Sequence, residues 1–160
     1  MNRAAVFFDR SARLGGGSDK GKEKEMKELT VEASVEKIEE VTRFVNEELS
    51  ALDCPKRART QIDIAIDEIF ANIAAYAYGK SKGEATVSVE FTEDPVGVRI
   101  SFADGGMPFD PLTKEDPDTA APAEKRTTGG LGIFLVKKIM DEVEYRRENG
   151  RNILSIRKYF

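Results

Sequence analysis

Glu68 and Asn72 stand four residues apart in the segment DEIFANIAAYAYG, a spacing that places both side chains on one face of a helix. Magnesium prefers oxygen ligands and usually bridges phosphates with one or two protein ligands plus water, so the Asn72 carbonyl oxygen is a candidate ligand. Glu68, one turn earlier, is placed to polarise a hydroxyl or water aimed at a terminal phosphate. The alternative is an ordinary solvated helix face.

A second candidate group follows a predicted strand, in the segment FADGGMPFDP at residues 102 to 111. Asp104 carries an acceptor-only carboxylate, which suits an exocyclic amine such as that of adenine. Gly106 has no Cβ to block a flat ring. Pro108 and Phe109 are expected to fix the turn and close the pocket. The alternative is a simple Asp-Gly turn in a hairpin or loop.

The third group is a glycine run, TTGGLGIFLVKKIMD, that leads directly into a predicted helix. Gly129, Gly130 and Gly132 allow close approach to backbone N–H groups at the helix start, which suit a phosphate. Thr128 precedes these glycines and is included among the candidate cofactor-binding residues. The run lacks the lysine of a Walker motif, and no strand directly precedes it as a dinucleotide motif requires. The alternative is a flexible hinge before a buried helix.

The order of the three groups is more informative than any one of them. Glu-x-x-x-Asn on a helix, Asp-x-Gly after a strand, and Gly-x-Gly before a helix occur together in one known arrangement. Over about residues 27 to 158, the chain resembles the GHKL superfamily of ATP-binding domains. The forms DGGMPFDP, which begins at Asp104, and GLGIFLV, which begins at Gly130, resemble the anti-sigma-factor serine/threonine kinase branch.

The resemblance implies ATP and Mg²⁺ as cofactors, with Asn72 as the metal ligand and Glu68 as the catalytic base. The other implied contacts are Asp104 and Gly106 to adenine, and Gly130 and Gly132 to the phosphates. Two positions depart from the family pattern, because Tyr76 stands where histidine is common and Arg126 lies three residues before Gly129 instead of beside it. Arg126 is still a candidate phosphate contact, with a solvated loop charge as the alternative.

Members of this branch bind a sigma factor, phosphorylate a serine or threonine of an antagonist protein, and commonly dimerise. The resemblance therefore implies an anti-sigma factor kinase in a partner-switching system, with a sigma factor and an anti-anti-sigma protein as partners and a homodimer as its assembly. Two alternatives stay open. One is a nucleotide-gated protein-binding module without phosphotransfer, and the other is the ATPase part of a sensor kinase whose substrate lies in another chain.

Composition excludes several other classes of function. A net charge of −4 gives no global attraction to nucleic acid or an anionic membrane surface, so neither is an expected partner. The lone Cys54 cannot form an internal disulfide, and no run approaches the roughly 20 apolar residues of a membrane span, which favours a cytoplasmic protein. The chain has no histidine, so Ser-His-Asp triads and a phosphoacceptor histidine are excluded.

The elements that must position these residues follow the order β-α-α-β-β-loop-α-β-β. This order predicts an α+β two-layer sandwich, with a mixed, mostly antiparallel sheet and helices on one face. The resemblance implies more specifically the Bergerat ATP-binding fold. The predicted ranges are a strand at 27–33, a helix from 34, a helix at 56–78, strands at 85–92 and 96–102, a helix at 131–141, and a hairpin of 143–147 and 153–158.

Two segments are predicted to lie outside the regular elements. Residues 1–25 are rich in glycine and charge and are predicted to be a disordered leader or linker, which leaves 26–160 as the ATP-binding kinase-like domain. Residues 104–129 are rich in proline, glycine and charge, and their length indicates a functional lid.

Overall fold

A computed structural model describes residues 25–116, 120 and 131–160. The predicted leader lies almost wholly outside these ranges, and so do residues 117–119 and 121–129 of the predicted lid. The elements are β1 (Lys27–Glu32), α1 (Ile38–Ser50), α2 (Lys56–Tyr76), β2 (Glu84–Glu93), β3 (Val96–Asp104), α3 (Leu131–Ile139), β4 (Glu142–Glu148) and β5 (Arg151–Tyr159), with short 3-10 turns at Val35–Lys37 and Pro111–Thr113.

The sheet has five strands in the order β1-β2-β3-β5-β4, and every pairing among the described strands is antiparallel. Strand β3 is central, and its last residue, Asp104, lies between Ala85 of β2 and Asn152 of β5. Because cross-strand neighbours share a face of the sheet, the side chains of Asp104 and Asn152 point to the same side.

The core lies between one face of the sheet and a layer made by the three helices. Alternate residues of β2 and β3 are buried, as expected for strands with one face against a core. Helix α2 contributes Ile62, Ile66 and Phe70, all fully buried. The predicted α+β fold class is therefore confirmed. Within the described ranges, no helix has the length and apolar character needed to cross a membrane.

The predicted element boundaries agree with the structure to within a few residues. Helix α2 ends at Tyr76, two residues before the predicted end, and Gly79 beyond it has a φ of +58°. The predicted hairpin turn is formed by Asn149 and Gly150, with φ values of +51° and +75°. Positive φ at both positions is the requirement of a tight type I′ turn, which an Asn-Gly pair satisfies well.

Arg59 joins the end of α1 to the beginning of α2. Its guanidinium donates to the carbonyl oxygens of Leu49 at 3.3 Å and Cys54 at 3.0 Å, and to the Ser50 hydroxyl at 3.0 Å. Carbonyl groups at the end of a helix lack partners within the helix, so a side-chain donor stabilises them. One side chain thus fixes the start of the helix that carries Glu68 and Asn72.

We expect Arg59→Ala to lower the free energy of unfolding by about 1.5 to 3 kcal/mol, the usual range for hydrogen bonds from a charged group. Arg57→Ala is the matched control, because Arg57 is exposed and makes no hydrogen bond or ion pair among the described residues. Urea denaturation of both variants measures the difference. Equal stability of the two variants would contradict the assigned role of Arg59.

Candidate functional site

Asp104 is a buried carboxylate with one engaged oxygen and one open oxygen. Its side chain is 4% exposed at the end of β3. The Oδ1 atom accepts hydrogen bonds from the backbone N–H of Gly106 and from the Asn152 amide, both at 2.9 Å. Oδ2 makes no hydrogen bond to any other described residue. The carboxylate therefore has one acceptor atom available to a bound molecule.

A cavity lies beside Asp104, between α2, the end of β3, α3 and the β4–β5 hairpin. Asn72, Asp104, Tyr145 and Asn152 contribute polar groups to its lining. The rest of the lining is mainly apolar, and includes Ile69, Ile73, Phe102, Met107, Phe109, Pro111, Ile133 and Leu154. An apolar cavity with a few fixed polar groups is the usual form of a site for a flat heteroaromatic ligand.

The loop after β3 is pressed against the end of α2. The N–H of Met107 donates to the Ala77 carbonyl at 2.9 Å, and the N–H of Gly105 donates to the Tyr78 hydroxyl at 2.8 Å. A Cβ at Gly106 would lie 2.7 Å from the Ala77 Cα and closer still to its carbonyl group. Gly106 is thus needed for this backbone contact, a reason that differs from the room for a flat ring expected from sequence.

Asn72 and Glu68 lie on one face of α2, as predicted, but in different surroundings. Asn72 borders the cavity beside Asp104 and also a second cavity between residues 111–116 and α3. Glu68 borders neither, and lies against Gly132 at the start of α3, where a Cβ would approach the Glu68 Cδ to 2.9 Å. Neither side chain makes a hydrogen bond to another described residue.

The second cavity brings cationic side chains near Asn72. Lys114 and Lys137 line it, together with Glu115 and Asp116. The Lys137 ammonium forms an ion pair with Asp116, and the Lys114 ammonium lies 5.6 Å from the Phe109 ring centroid. Neither lysine is among the site residues predicted from sequence, although Lys137 falls within the third segment, because each comes near Asn72 only through the fold.

Tyr76, which stands where the family often has histidine, lies at the mouth of the site. It borders both cavities, and its ring centroid is 6.4 Å from that of Phe109. Phe109 borders both cavities as well. Four other predicted contacts, Arg126, Thr128, Gly129 and Gly130, lie outside the described residues.

Sequence reasoning missed Asn152 and Tyr145. Their hydrogen bond, from the Tyr145 hydroxyl to Asn152 Oδ1 at 2.7 Å, lies beside Asp104. A signal was present, because Asn152 shares the inward face of β5 with Leu154 and Ile156, and a polar residue in an apolar alternation indicates a buried polar role.

No group of three His, Cys, Asp or Glu residues that could hold a metal ion occurs in the described part of the chain. A preformed all-protein metal site is therefore absent from those ranges. Asn72 fits the other common arrangement, in which a single protein oxygen supports a magnesium ion held mainly by phosphates and water.

Comparison with known proteins identifies the family. Residues 31–158 match the model of the histidine kinase-like ATPase domain. The chain belongs to this family. The order of the three residue groups predicted a GHKL-type ATP-binding domain, and this match confirms that prediction.

Two similar relatives are named serine-protein kinase RsbW. The protein from Listeria monocytogenes serovar 1/2a is 34% identical over 98 residues, which are 58% of this chain and 61% of the relative. The protein from Bacillus cereus strain B4264 is 34% identical over 95 residues, 57% of this chain and 58% of the relative. The chain thus covers about three fifths of these relatives, and their name agrees with the kinase branch that the sequence resembles.

A solved structure agrees with the fold of this histidine kinase-like ATPase domain. The crystal structure of the RsbU and RsbW domains of Rv1364c from Mycobacterium tuberculosis matches with a TM-score of 0.60 and 18% identity. The match covers 84% of this chain and 32% of that chain. At this level of identity the comparison supports the arrangement of helices and strands alone.

The adjacent glycines of the β3 loop offer a matched test of its packing. Gly106→Ala is expected to lower the free energy of unfolding by about 1 to 3 kcal/mol, because the added methyl overlaps the Ala77 backbone. Gly105→Ala is the control, since its nearest contact would be the Tyr78 hydroxyl at 3.6 Å, an ordinary van der Waals distance. Chemical denaturation distinguishes the variants, and equal losses would exclude the proposed packing constraint.

Proposed function

We propose that this chain binds ATP and transfers its terminal phosphoryl group to a serine or threonine of another protein. The observation that carries the nucleotide part is the open Oδ2 of buried Asp104 in an apolar cavity bordered by Asn72. The names of the relatives, serine-protein kinase, support the choice of reaction.

In this proposal Asp104 recognises the base. The 6-amino group of adenine donates to Oδ2, while the Gly106 N–H and the Asn152 amide hold Oδ1. Oδ2 makes no hydrogen bond to a described residue, so a ligand that brings a donor to it would form a charge-assisted hydrogen bond there. The surrounding apolar side chains would cover the faces of the ring.

Asn72 and the start of α3 would hold the phosphate end. The Asn72 carbonyl oxygen is the proposed magnesium ligand, and the N–H groups around Gly132, with Gly129, Gly130, Thr128 and Arg126, are the proposed phosphate contacts. Lys114 and Lys137 place two ammonium groups in the cavity that Asn72 borders, with the carboxylates of Glu115 and Asp116 beside them. Bound Mg²⁺ would neutralise phosphate charge, the usual chemistry of this ion in phosphoryl transfer.

Glu68 is the proposed general base. Its carboxylate would accept the proton of the substrate hydroxyl as that oxygen bonds to the γ-phosphorus and the bond to the ADP oxygen breaks. Glu68 lies one helical turn from Asn72 and directly beside Gly132. Base, metal ligand and helix start would then act on the same phosphoryl group.

The proposed partners are a sigma factor and its anti-anti-sigma antagonist, and the proposed setting is a cytoplasmic homodimer. In this account the chain sequesters the sigma factor, and phosphorylation of the antagonist controls release. The support for this assignment is the resemblance to the anti-sigma-factor kinase branch together with the name of similar relatives, serine-protein kinase, about three fifths of whose length this chain covers.

ATP binding is expected to depend on Asp104. In Asp104→Asn, the new amide oxygen takes the place of Oδ1, because Gly106 and Asn152 both donate to that atom. Its NH₂ group then takes the place of Oδ2 and faces the adenine amine, so two donors face each other. We expect a roughly 5- to 100-fold loss of ATP affinity, measured by calorimetry. Asp110→Asn is the control, because Asp110 caps the turn at Leu112 and does not border the cavity. Unchanged affinity in folded Asp104→Asn would remove Asp104 from the site.

Phosphotransfer is expected to depend on Glu68. Glu68→Gln keeps the size of the side chain but cannot accept the proton, so the turnover number should fall by about 10² to 10⁴ while ATP affinity is retained. Asp67→Asn makes the same chemical change one residue earlier, on an exposed side chain, and should leave both quantities unchanged. The assay follows labelled phosphate from ATP to an anti-anti-sigma protein.

One observation favours the second candidate function, a nucleotide-gated binding module. Among the described residues, Glu68 borders neither of the two cavities that Asn72 borders, so these cavities do not bring the proposed base and the proposed metal ligand together. If wild type binds ATP and a sigma factor but transfers no phosphate to any antagonist, this second function replaces the kinase. If Glu68→Gln transfers phosphate as fast as wild type, the kinase stands and Glu68 is not its base.

A further inference from the structure

Asn152 is the most highly connected polar side chain beside Asp104. It is 6% exposed and lies in β5, opposite Asp104 on one side and Arg147 on the other. Its amide nitrogen donates to Asp104 Oδ1 at 2.9 Å and to the Met107 carbonyl oxygen at 2.8 Å. Both amide protons are therefore used.

The amide oxygen of Asn152 is surrounded by donors. It accepts from the Tyr145 hydroxyl at 2.7 Å, from an Arg147 guanidinium nitrogen at 2.8 Å and from the Phe109 N–H at 3.3 Å. Reversing the amide would place its oxygen against two acceptors and its nitrogen against two groups that can only donate, the Arg147 guanidinium and the Phe109 N–H. The contacts thus allow only one orientation of this side chain.

This orientation determines what the neighbouring groups can offer a ligand. Because Asn152 and Gly106 both donate to Asp104 Oδ1, the carboxylate is held with Oδ2 as its open atom. Because the Tyr145 hydroxyl donates its proton to Asn152, that hydroxyl retains only lone pairs for the cavity. Asp104 and Tyr145, the two cavity-lining polar groups bonded to Asn152, therefore present acceptors to the cavity.

We propose that Asn152 is the positioning residue that sets base selectivity, favouring purines with an amino group at C6 over those with a carbonyl. This inference rests on the proposed ATP binding. Adenine brings the donor hydrogens of its 6-amino group to the acceptors of Asp104 and Tyr145, whereas hypoxanthine and guanine would bring their 6-carbonyl oxygen against Asp104 Oδ2. Two facing acceptors leave both without a hydrogen bond in a buried site, which disfavours the 6-oxo base.

The test compares ATP with ITP, whose base differs from adenine at C6 and N1, in calorimetric binding to the full chain with Mg²⁺. Wild type should prefer ATP by roughly 10- to 100-fold. In Asn152→Ala, the Tyr145 hydroxyl can turn its proton toward the cavity and Asp104 loses one of its two anchors. ATP affinity should then fall at least about tenfold, while ITP affinity changes less than about threefold. The ratio of ATP affinity to ITP affinity is therefore smaller in the variant than in wild type.

The ratio of the two affinities separates selectivity from folding, because partial unfolding lowers both alike. Asn152→Leu is the second variant, since it keeps the branched shape and the number of heavy atoms of the side chain and matches Leu154 and Ile156 on the inward face of β5. Ser155→Ala is the control, because Ser155 is equally buried in β5 but bonds to Ser101 on the other face. It should retain the wild-type ratio.

Two results would count against the proposals, and they are distinguishable. Binding of neither nucleotide by wild type would overturn the proposed function itself. A wild-type preference for ATP that survives within about twofold in both folded Asn152 variants would overturn the role of Asn152 and leave ATP binding intact.

Discussion

A carboxylate on the core side of a sheet requires hydrogen-bond donors, and this requirement shapes the whole site around Asp104. The donors come from the loop just after β3 and from Asn152 on β5. Because Asn152 also bonds to Met107 and Phe109, the same side chain determines the path of that loop. The cavity beside β3 is therefore a consequence of satisfying one buried acidic group.

The other wall of the site depends on close backbone approach. The β3 loop meets the end of α2 at Ala77, and Gly132 brings α3 to Glu68 on the same helix. Helix α2 thus contacts both the loop that follows Asp104 and the helix that follows the glycine run. The position of α2 therefore sets where the loop after Asp104 lies relative to the start of α3. Arg59 fixes the first turn of α2 to the end of α1.

Much of this arrangement could be predicted from sequence because it depends on local spacing. The i, i+4 relation put Glu68 and Asn72 on one helix face, and the alternation of apolar residues ended a strand near Asp104. The structure agrees on both points. The nucleotide and catalytic roles of these residues, and those of Arg126, Thr128, Gly129 and Gly130, remain predictions.

The rest could not be predicted because it depends on long-range pairing. Asn152 meets Asp104 through the β3–β5 register, across 48 positions of the chain. Nothing local specifies that register, and a shift of one residue would replace Asn152 with Arg151 or Ile153. The separation of Glu68 from the cavities likewise depends on how α2 packs against α3.

The short hairpin turn at Asn149 and Gly150 has an evolutionary consequence. Asn152 follows this turn by two residues, and a two-residue turn leaves no slack between β4 and β5. A single residue inserted or deleted between this turn and Asn152 would turn the Asn152 side chain to the outer face of β5, and so separate it from Tyr145. Homologues should therefore vary freely in the amino acids of the outer face while conserving the number of residues between the turn and Asn152.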